Sequence, residues 1–254
     1  MTDLKSLLDA HALEKNTDLG LYSASDPLQA ASKFKEPNIA LICALFAYGN
    51  ANLILKFLNS LDFSLLDESE SKIVSNLQNF KYRFQSVEDV RQIFITLSRL
   101  KKDGDIEAII KSGFDKNGLM VEGINELIKF IYSLNSYRSD GYEFFFGKSF
   151  ENKPNSPYKR YNMFLRWMVR DSDIDLGLFK NLPKSELLIP LDVHTHRVSL
   201  ALKLINRKSY DFTAVCELTN RLKEFDPLDP IRYDFALYRI GQSKELDKIL
   251  DPEK

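Results

Sequence analysis

Asp192, His194, His196 and Arg197 stand almost side by side, directly behind the apolar run at residues 187–191. They bring together a carboxylate, two of the chain's three histidines and a guanidinium. A carboxylate so placed can cap a helix, ligate a metal beside the imidazoles, or stabilise positive charge developing on a substrate. A second constellation lies upstream. Residues 153–170 hold Lys153, Lys159, Arg160, Arg166 and Arg170 with no acidic side chain, interleaved with Tyr158, Tyr161, Phe164 and Trp167. Cations that track phosphates beside aromatic rings that stack on bases give this pattern. Phe164 and Trp167 equally suit a helical core.

Helical periodicity must position both groups. Ser156-Pro157 reads as the start of a helix running to about residue 170, with Ser as cap and Pro in the first turn. Tyr161, Phe164, Leu165 and Met168 form its apolar face; Lys159, Asn162, Met163, Arg166 and Arg170 share a cationic one. Asp192 reads as the cap of a helix to about residue 205. Asp211 and Asp229 open two more. Upstream, Thr2 reads as the cap of a first helix. Residues 37–48 are nearly all apolar, as in a helix buried on most sides. Ser86 caps a stripe of Val90, Ile93, Phe94, Leu97 and Leu100, and residues 106–110 and 118–134 are further helices. Residues 135–157 read as loop. Only residues 187–191 could be extended, and Pro190 argues against a central strand. The expected fold is all-α.

The 254 residues suffice for one large domain or two lobes. With 35 basic and 36 acidic side chains, net charge −1 gives no global attraction for nucleic acid, so any positive surface must be local. Two cysteines, Cys43 and Cys216, are too few for a four-thiolate site and read as buried free thiols. No cleavable signal and no apolar run of about 18 residues is legible, which leads us to expect a cytoplasmic protein without a membrane segment.

Asp-Val-His-Thr-His looks like the His-x-His motif ending the first strand of amidohydrolase-type barrels. That chemistry would bind a metal at Asp192, His194 and His196, but it needs further ligands on later strands. Only His11 remains, and no strand–helix alternation exists. Neither a metal nor another cofactor is expected.

Ile189-Pro190-Leu191-Asp192-Val193-His194 resembles the segment around the catalytic aspartate of helix-hairpin-helix–Gly/Pro–Asp DNA glycosylases, in particular the archaeal branch of the 8-oxoguanine enzymes. Lys159 through Met168 resembles the helix that follows the catalytic lysine there, and the separation of Lys159 from Asp192 is similar. More closely still, the chain resembles a largely uncharacterised bacterial family related to these enzymes. Its hallmarks stand here as Ala47-Tyr48-Gly49-Asn50, Asn162 through Arg170, Pro190 through Thr195, and Tyr233-Asp234-Phe235-Ala236-Leu237. No Gly-x-Gly hairpin precedes Lys159, a departure that the archaeal branch shares.

The resemblance implies two helical lobes with a cleft between them. Residues 1–35 with 151–254 would form one lobe, and residues 36–150 a helical barrel. It implies a base-excision DNA glycosylase, acting as a monomer on a flipped damaged base in double-stranded DNA, with an 8-oxoguanine-like purine as the expected target. Asp192 would stabilise the cationic sugar. Lys159 would attack the sugar if the enzyme is also an AP lyase. Arg160, Arg166, Arg170, His194, His196 and Arg197 would contact DNA, and Trp167 and Tyr158 would line the base pocket. The alternative is a noncatalytic nucleic-acid-binding or protein-interaction module on the same fold.

Overall fold

The computed structural model describes residues 4–154, 156–172, 174–243, 246 and 249. Among them the chain forms fourteen α-helices and three short 3-10 turns, with no strand beyond an isolated bridge between Tyr82 and Gln85. The all-α expectation holds. Thr2 lies outside the described residues. The chain divides into two compact units, Met1–Ser25 with Lys153–Lys254, and Asp26–Asn152.

The first unit begins with α1 (Leu4–Lys15) and α2 (Asp18–Tyr22). The second unit follows without interruption. It contains α3 (Leu28–Ala31), α4 (Pro37–Leu45), α5 (Ala51–Ser60), α6 (Glu70–Asn76), α7 (Val87–Asp103), α8 (Ile106–Phe114), α9 (Met120–Leu134) and α10 (Asp140–Phe146). Every residue of α4 from Asn38 to Leu45 is buried, as the apolar run from Ile39 to Leu45 requires. Ser86 caps α7 reciprocally: its Oγ accepts from Asp89 N at 3.1 Å, and Asp89 Oδ2 accepts from Ser86 N at 2.7 Å. Helices α8 and α9 touch backbone to backbone. A Cβ on Gly113 would lie 2.4 Å from the Glu122 carbonyl oxygen, and one on Gly123 would lie 2.5 Å from that of Ile110.

Residues 135–157 are not all loop. Ser139 Oγ accepts from Tyr142 N at 3.0 Å and starts α10, which buries Tyr142, Phe145 and Phe146. These rings recur at helical spacing. The surrounding Asn, Ser and Gly residues hid that short pattern.

The chain then returns to the first unit with α11 (Lys159–Val169), α12 (Val193–Ala201), α13 (Phe212–Lys223) and α14 (Asp234–Gln242). Cys43 is buried and Cys216 half-buried, both free, and burial pushes both thiols up. No described helix is long and apolar enough to cross a membrane.

Candidate active site

Every candidate residue falls in the first unit, on α11, on α12 or at their ends. Helix α11 begins later than its Ser-Pro sequence suggests. Ser156 Oγ accepts from Tyr158 N at 3.4 Å, while Tyr158 itself occupies the cap position with φ 46° and ψ 34°. A left-handed conformation in an aromatic residue costs about 1–3 kcal/mol. The strain sits immediately before Lys159. It turns the chain so that Tyr158 is buried and Lys159 opens the helix.

The cationic face of α11 is turned inward. Arg166 donates through Nη1 to Asp234 Oδ2 at 2.6 Å and through Nε to Asp175 Oδ1 at 3.1 Å. Arg170 holds Asp229 through Nε at 2.9 Å and Nη2 at 3.0 Å, and its Nη1 donates to Asp175. Both arginines are buried. Segment 171–183 closes over them, with Leu176 N and Phe179 N donating to the Trp167 and Met168 carbonyls at 2.7 and 2.8 Å. This corrects the expectation that Arg166 and Arg170 grip phosphates: both guanidinium groups are committed to carboxylates in the interior. Trp167, 1% exposed, is a core residue and not a wall of an open base pocket. Tyr158 is likewise buried.

Lys159 differs from these. It is half-buried, and its Nζ lies 3.5 Å from Met163 Sδ, one turn further along α11. No carboxylate among the described residues forms an ion pair with it. Arg160, beside it, is also half-buried.

Asp192 caps α12, its Oδ1 accepting from Thr195 N at 2.8 Å. No described residue donates to its Oδ2. The apolar run before it is extended without joining a sheet. Leu187, Ile189 and Leu191 alternate inward, and Ile189 N donates to Thr219 Oγ1 at 3.1 Å. The two histidines diverge, since residues two apart lie on different sides of a helix. His194 Nδ1 is 3.2 Å from the Gly241 carbonyl, and His196 Nε2 is 3.0 Å from that of Arg207. Among the described residues, no three His, Cys, Asp or Glu side chains group to hold a metal. Arg197 is exposed, but its Nη2 donates to the Gly241 carbonyl at 2.6 Å. His194 and Arg197 thus tie α12 to the end of α14.

Asp234, the first residue of α14, was legible only as part of a sequence hallmark. It is buried, and its one hydrogen-bonding side-chain partner among the described residues is Arg166. Burial pushes its carboxyl up to about 6; Arg166 and Lys159 pull it down, and Asp192 pushes it further up. Its pairing was not legible, because Arg166 lies 68 residues away.

An all-helical protein with a buried aspartate–arginine network, an amine opening one helix and a carboxylate capping another is the class that these features define. Residues 26–243 match the family described as Protein of unknown function (DUF2400), and the chain belongs to that family. Neither the curated proteins nor the solved structures contain a match.

Proposed function

We propose that this chain is a base-excision DNA glycosylase of the cytoplasm, acting as a monomer on a flipped damaged base in double-stranded DNA. An 8-oxoguanine-like purine is the proposed target, and Lys159 supplies AP-lyase activity. One observation carries the reading: Lys159 opens α11 half-buried and without a carboxylate ion pair among the described residues, and Asp192 caps α12 through Oδ1 alone. The resemblance of the segments around both residues to glycosylase sequences supports it. Asp192 Oδ2 would face the cationic sugar while Oδ1 holds the helix cap. The Lys159 lone pair would form the new bond to the sugar as the bond to the base breaks. Arg160 and Arg197 remain the candidates for phosphate contact; His194 and His196 support α12.

Borohydride trapping on a panel of damaged duplexes tests this. Wild-type protein should form a covalent adduct with an 8-oxoguanine duplex, and Lys159→Ala should form none. Asp192→Asn should slow base release by roughly 100-fold or more. No adduct and no base release from any duplex would sink the proposal, and full activity in both variants would sink the site assignment.

A noncatalytic nucleic-acid-binding module is the second reading, and an aromatic cluster in the Asp26–Asn152 unit favours it. Phe84 and Phe144 are 58% and 43% exposed, and Tyr48 stands near-parallel to Phe84, 10° between planes and 6.2 Å between centroids. The Arg83 guanidinium lies 5.3 Å from the Phe84 ring. Such rings stack on unpaired bases. Binding without base release, weakened about tenfold by Phe84→Ala, is what this reading expects; unchanged binding in that variant removes its support.

A further inference from the structure

We propose that a cavity of about 340 Å³ in the first unit binds a nucleoside monophosphate. Neither Lys159 nor Asp192 lines it. The inference goes beyond the glycosylase reading and does not depend on it.

Segments far apart in the chain build the cavity. Leu13 comes from α1, and Asn16 follows the last residue of that helix. Arg170 and Ser172 come from the end of α11 and the connector behind it. The turn after α13 adds Leu228 and is held in shape: Leu228 N and Asp229 N donate to Asp226 Oδ1 at 3.1 and 3.0 Å. The volume lies within the range of small-ligand pockets, roughly 300–1,000 Å³. Two polar atoms of the lining residues are buried without a partner. Asn16 is 7% exposed, and its Nδ2 donates to the Arg232 carbonyl at 2.8 Å, but its Oδ1 accepts from no described residue. Ser172 Oγ is likewise unpartnered. A buried acceptor is costly unless a donor meets it, so the site calls for an N–H or O–H donor.

The charges call for an anion. Arg170, Lys184 and Arg232 line the cavity, with only Asp226 and Asp229 to oppose them. Arg170 is spent on Asp229 and Asp175, and Arg232 Nη1 donates to Asp226 at 3.2 Å. Lys184 is not spent: its ion pair with Asp171 is 3.9 Å long, beyond hydrogen-bond reach. Leu13 and Leu228, 79% and 74% exposed, add apolar surface beside these polar groups. The excess of cations repels a polyamine. A dicarboxylate brings no donor for Asn16, and a sugar phosphate leaves both leucines in water. A nucleoside monophosphate meets every demand. Its phosphate would pair with Lys184, a base N–H would donate to Asn16 Oδ1, a sugar oxygen would meet Ser172 Oγ, and the base would cover the leucines.

Equilibrium dialysis of the full chain against radiolabelled dAMP tests this. One site should saturate below about 1 mM. Lys184→Gln should weaken binding about tenfold, and Ser172→Ala about threefold. Both side chains are partly exposed, so both variants should fold. Unlabelled ribose 5-phosphate and inorganic phosphate should compete roughly tenfold less well than dAMP, or worse, because neither brings a base. Absence of saturable binding overturns the proposal. So does ribose 5-phosphate or phosphate competing as well as dAMP, or an unchanged affinity in Lys184→Gln. Failure of the trapping experiment would count against the glycosylase reading and leave this site standing.

Discussion

Arg166 and Arg170 share three aspartates, Asp175, Asp229 and Asp234, so the network carries one acid more than it has cations. Removing a cation leaves the other to neutralise the interior carboxylates alone. Arg170→Ala should therefore destabilise the fold by about 3–5 kcal/mol, measured by urea unfolding; a loss under 1 kcal/mol would show that water relieves Asp175. The surplus acid also gives a pH signature. Asp234 titrates at about 6 in the folded chain against an ordinary 3.8. Its raised value means that its favourable contribution is full below the ordinary value and lost as pH rises through about 6. Replacing it by Asn removes that loss. Relative to wild type, Asp234→Asn should gain stability between about pH 4 and pH 7, by on the order of 3 kcal/mol at most. Parallel pH profiles for the two proteins would contradict the assignment. At this scale the sequence was legible where a residue acts locally. Asp192 could be recognised as a helix cap from its own neighbours. Arg166 could not be recognised as interior, because the aspartates that neutralise it come from distant segments.

Helices α12 and α14 show what limits legibility one level up. Their apolar spacing was readable, but their ends depended on contacts from elsewhere. Helix α12 stops at Ala201, not near 205, because Lys203 turns left-handed at φ 55° and Leu204 N donates back to the Ser199 carbonyl at 2.8 Å. Helix α14 starts at Asp234, not Asp229, because Pro230–Tyr233 forms a 3-10 turn first. The two helices pack at Gly241, where a Cβ would lie 2.8 Å from His194 Cβ and 3.1 Å from the His194 carbonyl carbon. Gly241→Ala should push them apart at a cost of about 1–3 kcal/mol. It should also loosen the hydrogen bonds from His194 and Arg197 to the Gly241 carbonyl, visible as faster amide exchange in the first turn of α12. Wild-type exchange rates and melting temperature in that variant would argue against so tight a crossing.

Over the whole molecule, the first unit is built from segments separated by the entire second unit. Tyr233 Oη donates to Asp9 Oδ1 at 2.9 Å, Asn16 Nδ2 to the Arg232 carbonyl at 2.8 Å, and Arg239 Nη2 to the Leu21 carbonyl at 3.2 Å. The Asp26–Asn152 unit is one continuous stretch of chain. Expressed alone, it should unfold cooperatively in urea, whereas a chain lacking residues 1–25 should lose protection in α14 by hydrogen exchange; retained protection there would contradict the role of α1. Sequence periodicity could not reveal this division of labour, since α1 and α14 look like ordinary amphipathic helices apart. The division also sets a timetable for synthesis. Residues 4–25 leave the ribosome before the Asp26–Asn152 unit yet meet their partners only after α14 has emerged. While the intervening unit folds, α1 keeps its apolar face uncovered. A chaperone that holds such early segments would thus govern how much protein reaches a state in which Asp234 meets Arg166.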